Sequence, residues 1–240
     1  MTTNAPRELE HLIKTELLAN GADVVAFGDL TELPPGVRAG LPVGVSFGIC
    51  LPRETIRAIA DVPTPEYYGD YKSTNAKLQE IIKHGERFIS GLGYSAIGMT
   101  NEQIAQVSGE NFTTLPLKTV ATRAGLGWIG KCALLVTEKY GSALRLGGIL
   151  TDAPLPRSEP VNESRCGACM ACTSACPAHA PTGALWHKGL ARDAFFNAAA
   201  CRKTAYERAV KYAGAEESIC GKCIAVCPHT RRYVNGAFWL

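Results

Sequence analysis

The stretch SRCGACMACTSACP, residues 164–177, decides how this sequence folds. Its cysteines follow the spacing C-x2-C-x2-C-x3-C-P, and the fourth, Cys176, directly precedes a proline. A second run, CGKCIAVCP at residues 220–228, has a related spacing with one cysteine fewer. A short loop of this kind can wrap several thiolates around one side of a metal cluster. The sequence therefore indicates two cluster-binding runs, and the second run needs a ligand from elsewhere.

The order of the cysteines assigns the ligands of two [4Fe-4S] clusters. In proteins with two such clusters, three cysteines of one run bind one cluster, and the cysteine before proline binds the other. Cluster I is therefore predicted to take Cys166, Cys169, Cys172 and Cys227. Cluster II is predicted to take Cys176, Cys220, Cys223 and a fourth ligand. That ligand is predicted to be Cys201, because it lies between the two runs, whereas Cys50 and Cys132 lie far upstream.

Structural zinc is the alternative interpretation of the cysteines. Zinc usually takes two separated C-x-x-C pairs, which would leave the middle cysteine of the first run redundant. Cys50 falls in a predicted strand and Cys132 begins one. Both are interpreted as small buried hydrophobic residues rather than ligands.

The composition is typical of a soluble globular protein. Apolar residues make up 46% and charged residues 20% of the 240 residues. The apolar stretches are too short for a membrane helix, and the first residues lack the pattern of an export signal. We therefore expect a cytoplasmic protein without membrane contact, whose ten cysteines are thiols rather than disulfides. The formal net charge of +3 does not favour a nucleic-acid partner.

The pattern predicts an α+β fold with a change of character near residue 155. Residues 1–155 alternate helical and strand patterns, whereas residues 156–240 hold the cysteine runs and Ala-rich helix. Helices are predicted at 6–21, 66–93, 117–125 and from an N-cap at Asp193 to about Tyr212. Strands are predicted at 22–30, 43–51 and 94–100, with 132–137 and 143–152 forming a hairpin.

Two glycine motifs match catalytic or nucleotide-binding patterns but lack the secondary structure that those patterns require. GVSFG places Ser46 inside an apolar strand, where a nucleophile elbow would need a sharp turn. GLGWIGKC, residues 125–132, follows a predicted helix and opens a strand, which is the reverse of a dinucleotide-binding loop. Its glycines allow either close backbone approach to a flat or bulky group, or a tight turn packed under Trp128. His179 and His229 lie nearest to the cysteine runs and form no metal-binding pattern.

The segments KTVATRAGLGWIGKCALLVT (118–137) and GGILTDAPLP (147–156), followed by both cysteine runs, resemble the epoxyqueuosine reductase family. The resemblance implies a nitroreductase-like α/β domain that holds cobalamin, followed by a two-cluster ferredoxin-like domain. It also implies that a low-potential donor of the ferredoxin or flavodoxin type sends electrons through both clusters to cobalt. Gly127, Trp128 and Lys131 are the candidate cofactor contacts, of which Lys131 matches the lysine of the family's GWIGK motif.

The sequence departs from the family in three places. Thr113 stands where epoxyqueuosine reductases carry their catalytic acid, and threonine is no general acid at neutral pH. The sequence ends at Leu240 without the helical repeats with which the family grips transfer RNA, so a nucleic-acid partner is not expected. Residues 178–181 are inserted where ferredoxin-type sequences continue C-P-T-G-A, which concerns local packing at the cluster.

The leading hypothesis is an iron–sulfur oxidoreductase that reduces a small substrate through a corrinoid. One rival is an electron-transfer adaptor without a substrate of its own, and another is a reductase that binds flavin. No catalytic residue can be named from the sequence. Tyr67, Tyr68 and Tyr71 are conceivable proton donors, although aromatic core packing is the simpler interpretation.

Overall fold

The computed structural model describes residues 5–100 and 114–236. The helices are α1 (Ala5–Ala19), α2 (Arg53–Ala58), α3 (Pro65–Gly91), α4 (Leu117–Arg123), α5 (Ala171–Ala175), α6 (Arg192–Phe195), α7 (Ala198–Ala213), α8 (Lys222–Val226) and α9 (Pro228–Asn235). The strands are β1 (Val24–Asp29), β2 (Val43–Cys50), β3 (Ala96–Gly98), β4 (Trp128–Ile129), β5 (Leu135–Val136) and β6 (Leu144–Thr151). This mixture of helix and sheet agrees with the predicted α+β class.

Contacts divide the chain into two compact units that interleave along the sequence. Unit 1 comprises Met1–Ile49, Asn75–Leu126 and Arg145–Val161. Unit 2 comprises Cys50–Thr74, Gly127–Leu144 and Asn162–Leu240. The units therefore differ from the consecutive stretches 1–155 and 156–240 expected from the sequence, because two segments before residue 155 belong to the unit with the cysteine runs. The nitroreductase-like and two-cluster assignments stay predictions.

Unit 1 is built on a four-stranded sheet in the order β1-β2-β6-β3. β1 pairs antiparallel with β2, and β3 pairs antiparallel with β6. Alternate residues of the strands face two different cores, as the pleat requires. Ile149 packs in a cluster with α1 and α3, whereas its neighbour Leu150 packs in another cluster with Val120 of α4. Every residue of β2 before its last is therefore buried.

Ser46 lies in the middle of β2 and pairs with Ala26 of β1. The residue is fully buried in a regular strand, so no nucleophile elbow forms there. The prediction that the GVSFG match is fortuitous is confirmed.

Unit 2 packs its helices around an apolar cluster instead of a large sheet. Buried side chains of α2, α7, α8 and α9 form this cluster together with Tyr67. Tyr68 and Tyr71 pack against its edge, which favours the core role of these tyrosines over proton donation. In the described part of this unit, β4 and β5 pair antiparallel and form a two-stranded sheet.

Two predicted elements were wrong. β6 pairs with β3 and not with β5, so 132–137 and 143–152 form no hairpin; only Leu135–Val136 of the first segment is strand, paired with β4. The helix predicted from Asp193 is broken at Phe196, whose backbone is extended. Asn197 caps α7 instead, accepting a hydrogen bond from the Ala200 N–H at 3.0 Å.

The described helices include none with the length and apolar character that crossing a bilayer requires.

Candidate metal centre

The two cysteine runs fold in the same way. α5 and α8 are each five residues long, and each carries a cysteine at its second residue, Cys172 and Cys223. Each helix is followed at once by a Cys-Pro pair with extended backbone, φ −71° and ψ 117° at Cys176 and φ −63° and ψ 126° at Cys227. The two helices pack against each other. The pattern shared by the two runs is therefore a shared local structure.

Superposing the runs on these helices shows which cysteine the second run lacks. Cys220 precedes Cys223 by the three residues that separate Cys169 from Cys172. The first cysteine, Cys166, has no counterpart in the second run.

Cys201, on the first turn of α7, lies beside Cys176 and Cys220. Burial and these two neighbouring thiols raise the pKa of Cys201 above its ordinary value. Cys201 is therefore near two of the three residues predicted to share cluster II with it.

Cys227 crosses back to the first run. It lies near Cys166, and burial raises the pKa of its thiol in spite of hydrogen bonds from Thr230 and His229. Raised thiol pKa values mean that a metal has to displace protons as it binds. The proximity of Cys227 to Cys166 is the crossing arrangement expected of two-cluster proteins.

Cys132 is the cysteine whose position sequence reasoning missed. Its side chain is 5% exposed and lies beside the thiols of Cys172 and Cys223. Cys172 by itself would lower the pKa of Cys132, but Cys223 and burial raise it well above the ordinary value. The same contact and burial raise the pKa of Cys172. Cys132 follows Lys131 directly, and that position in the GLGWIGKC loop was the only available signal.

The β4–β5 hairpin contacts the first cysteine run. Trp128 donates a hydrogen bond from Nε1 to the Cys166 sulfur at 3.4 Å. Lys131 donates from Nζ to the Cys169 carbonyl oxygen at 3.0 Å and contacts the Met170 sulfur at 3.4 Å. Trp128 is 1% exposed and Lys131 is 4% exposed. Both candidate cofactor residues therefore contact the predicted cluster I run.

The glycines of this loop have partners within the chain. A Cβ atom on Gly127 would lie 2.1 Å from the Val136 carbonyl oxygen, inside the β4–β5 hairpin. A Cβ atom on Gly130 would lie 2.8 Å from the Val136 side chain and 3.6 Å from the Cys166 sulfur. Of the two alternatives for these glycines, the tight turn under Trp128 accounts for both. The cofactor contact of Gly127 stays a prediction.

The two histidines nearest to the cysteine runs have different surroundings. The Trp128 and His229 rings meet edge to face, with centroids 4.9 Å apart. Exposed His179 ends the turn that follows Cys176, because its N–H donates to the Cys176 carbonyl oxygen at 3.1 Å. The Ala180 N–H donates to the Cys176 sulfur at 3.4 Å. The insertion thus contributes a hydrogen bond to a predicted ligand. Thr113 lies outside the described residues.

The thiols are not gathered around a single point. Among residues 5–100 and 114–236, no group of three or more His, Cys, Asp or Glu side chains could hold one metal ion.

Comparison with known proteins defines first a class of domain. A family model described as a 4Fe-4S binding domain matches residues 159–182, which include the whole first run. This match confirms iron–sulfur binding at the first run; the number of clusters stays a prediction.

The chain is also similar to named enzymes. It is 35% identical over 133 residues to the epoxyqueuosine reductase of Salmonella typhimurium, a match that covers 48% of this chain and 33% of that protein. Over 63 residues it is 49% identical to the epoxyqueuosine reductase of Aliivibrio fischeri, covering 26% of this chain and 17% of that protein. The resemblance seen in the sequence is confirmed. The matched region spans about a third of the Salmonella protein.

Solved structures share the fold. A reductive dehalogenase, NpRdhA in complex with 3-bromo-4-hydroxybenzoic acid, matches with a TM-score of 0.73 and 18% identity, covering 94% of this chain and 32% of that chain. An epoxyqueuosine reductase bound to an epoxyqueuosine-modified tRNA-Tyr stem loop matches with a TM-score of 0.63 and 19% identity, covering 94% of this chain and 66% of that chain. The second structure shows a protein of this fold bound to RNA, so the expectation that this chain has no nucleic-acid partner is not supported by the comparisons.

Proposed function

We propose that this chain is an iron–sulfur reductase that carries electrons through two [4Fe-4S] clusters to a corrinoid cofactor, which reduces a small substrate. The observation that carries the proposal is which distant cysteines are neighbours: Cys227 of the second run lies near Cys166 of the first, and Cys201 of α7 lies near Cys176 and Cys220. The ligands of cluster I would be Cys166, Cys169, Cys172 and Cys227. The ligands of cluster II would be Cys176, Cys201, Cys220 and Cys223.

The polar groups around the cysteines suit a negatively charged cluster. Lys131 is a buried ammonium group that pairs with no carboxylate among the described residues, its acceptors being a carbonyl oxygen and a thioether sulfur. A buried cation without an anionic partner is costly, and a thiolate-ligated cluster would supply the negative charge. The Trp128 Nε1–H and the Ala180 N–H each point to the sulfur of a predicted ligand, where they would stabilise a thiolate.

Support for the corrinoid comes from the relatives alone. One neighbouring fold is a reductive dehalogenase described as B12-dependent. In this chain Gly127 faces Val136, and Gly130 faces Val136 and Cys166, so neither offers a cradle for a flat ring. A corrinoid would supply a low-valent metal that reduces the substrate. The residues described here hold, orient and tune the clusters that would deliver the electrons.

The electron donor would be a ferredoxin or flavodoxin with an acidic surface. Arg202, Lys203 and Lys211 are exposed on α7, the helix that carries Cys201. The apolar side chains of Tyr206 and Val210 on the same helix are 44% and 45% exposed. Glu207 is also exposed on α7. The three cations outnumber this carboxylate, so the face would still attract an acidic partner to the side of cluster II.

Nucleic acid remains a second candidate substrate class, because the 35% identity is to an epoxyqueuosine reductase and one such enzyme binds a tRNA stem loop. The expectation of a small substrate rests on Thr113 and on the modest net charge. Binding of an RNA stem loop, followed at several salt concentrations, distinguishes the two, since phosphate contacts weaken steeply with salt.

The test is the metal content of protein purified without oxygen. The wild type should hold about eight iron atoms per chain, as two [4Fe-4S] clusters require, and about one cobalt after incubation with cobalamin. Cys201→Ser should lose about half of the iron and half of the broad absorbance of the clusters. Cys50→Ser, which changes a cysteine outside both predicted sets, is the matched control and should retain all of it. Unchanged iron in Cys201→Ser would refute the ligand assignment.

The same measurement separates the rival functions. Full iron content with neither cobalt nor flavin after reconstitution favours the electron-transfer adaptor. Full iron with bound flavin favours the flavin reductase.

A further inference from the structure

A segment that is distant in the sequence packs on the second cysteine run. The segment Cys50–Thr74 belongs to unit 2, as both cysteine runs do. It contains α2 and the first turns of α3. α2 packs against α8 and α9, the two helices that flank Cys227. Residues from early in the chain therefore form part of the surroundings of the second run.

The side chain of Ile59 covers the backbone of the second run. Ile59 follows the last residue of α2 and is 0% exposed. A Cβ atom on Gly221 would lie 2.3 Å from the Ile59 Cδ1 atom and 3.3 Å from the Tyr67 Cε1 atom. Gly221 lies between Cys220 and Cys223. The Cys223 side chain packs against the apolar cluster that contains Ile59 and Tyr67. Two apolar side chains therefore cover the loop between two predicted ligands of cluster II.

Hydrogen bonds from the second run and the helix after it hold Ile59 in this position. Lys222 of the second run donates from Nζ to the Ala60 carbonyl oxygen at 2.5 Å. On the other side of Ile59, Arg57 donates from Nη2 to the Val234 carbonyl oxygen of α9 at 2.6 Å. Both neighbours of Ile59 are thus attached to the helices that flank the last cysteine. The position of Ile59 is therefore coupled to the structure of the run.

The equivalent position of the first run has no such cover. Met170 precedes α5 as Gly221 precedes α8, so the two residues correspond. Met170 is 42% exposed. A Cβ atom on Gly167, earlier in the first run, would meet no atom of the described residues within 4 Å. The two runs share a local structure, but the first is the more accessible to solvent at these positions.

Access of water changes the reduction potential of a cluster. Water stabilises the reduced state more than the oxidised state, because the reduced cluster carries more negative charge. Removing water disfavours the more highly charged state, as burial disfavours an ionised carboxylate. An apolar cover over a cluster therefore lowers its reduction potential.

Building on the proposed function, we infer that Ile59 excludes water from cluster II and thereby lowers the reduction potential of that cluster. Ile59 acts as a positioning residue, since it contacts the Gly221 loop and the apolar cluster around Cys223 and binds no iron itself. Cluster I, whose run carries the exposed Met170, has no equivalent of this cover at the corresponding position.

The experiment is a redox titration followed by electron paramagnetic resonance on wild type, Ile59→Ser and Ile59→Val, after iron has been measured in each. The signal that Cys201→Ser loses identifies cluster II. Ile59→Ser opens a polar space that water can enter. It should make reduction of cluster II about tenfold more favourable, a rise of about 59 mV for a one-electron couple, with a smaller change in cluster I. Ile59→Val keeps an apolar cover and should leave the potentials close to those of the wild type.

Ile13→Ser is the matched control, because Ile13 is also 0% exposed but lies in the apolar cluster of unit 1. It loses the same buried side chain and should leave both potentials unchanged. If Ile59→Ser does not retain iron, Ile59→Thr takes its place, since threonine has nearly the shape of valine and differs from it by a hydroxyl group.

Three results would overturn the inference. The potential of cluster II in Ile59→Ser, or in Ile59→Thr, could equal that of the wild type or fall below it at full iron content. Ile13→Ser could raise the potential of cluster II as far as Ile59→Ser does. Both polar variants at residue 59 could lose iron, which would make Ile59 a structural support of the run. A wild type without [4Fe-4S] signals would instead refute the proposed function on which the inference rests, so the two failures are distinguishable.

Discussion

Removing the charge of Lys131 should lower the potential of cluster I. Lys131→Met keeps an unbranched side chain of similar length, so packing near the Met170 sulfur is preserved while the ammonium group is lost. The positive charge favours the reduced, more negative cluster, and its removal therefore disfavours reduction. Cluster II, whose predicted ligands do not contact Lys131, should respond less.

The magnitude follows from the contacts of the ammonium group. Nζ lies 3.0 Å from the carbonyl oxygen of Cys169, a predicted ligand of cluster I. The Cys169 side chain separates this carbonyl from the cluster, so the ammonium charge and the cluster charge would be roughly 8 Å apart. At an effective dielectric constant of about 20, two such charges interact by about 2 kcal/mol. For a one-electron couple this corresponds to a fall of about 90 mV. Because Lys131 is 4% exposed, added salt should screen little of this shift.

The assay is a potentiometric titration at low and at high salt, with iron content measured first. Lys188→Met is the matched control, because Lys188 is an exposed lysine of the same unit. Any shift in the control should be small and should disappear at high salt. A Lys131→Met protein with full iron and an unchanged potential, or with a raised one, would show that the charge does not act on the cluster.

Two further predictions concern the same loop. Trp128→Phe keeps a buried aromatic ring but removes the N–H that donates to the Cys166 sulfur. Titration should show a fall of about 40 mV in the potential of cluster I, equivalent to about 1 kcal/mol for one hydrogen bond. An equal fall in the potentials of both clusters would contradict a role for this contact. Gly127→Ala places a methyl group against the Val136 carbonyl and should destabilise the protein by about 1–3 kcal/mol, seen as a lower midpoint of thermal unfolding even without added cofactor. An unchanged midpoint would mean that Gly127 is required by something other than the hairpin.

Local patterns in the sequence predicted many of the elements. The helix that ends before Gly21, the long helix from Pro65 to Gly91 and the two strands of the β1–β2 pair follow directly from apolar periodicity and its breaks. The repeated Cys-Pro ending of the two runs likewise predicted a shared local structure. These features depend on neighbours in the chain, which a single sequence displays.

Features that depend on distant partners were not predictable in this way. β6 alternates side chains between two cores, so it belongs in the four-stranded sheet and not beside β5. The break at Phe196 reflects burial of Phe195 against Trp186, which no local pattern announces. Cys132 was interpreted as a passive hydrophobic residue because its spacing matches no ligand motif. Its neighbours Cys172 and Cys223 are distant in the sequence, so no local pattern indicates them.

The interleaving of the two units has a consequence for how the metal centre can be made and dissected. A ribosome synthesises residues 127–144 before either cysteine run, so Trp128, Lys131 and Cys132 emerge well ahead of the thiols they contact. Iron delivered to a nascent chain could meet all eight predicted ligands only after Cys227 has left the exit tunnel. A genetic fragment that begins at residue 156 would contain all eight and still lack Trp128 and Lys131, which contact the first run. The reduction potentials measured on such a fragment would therefore differ from those of the intact chain.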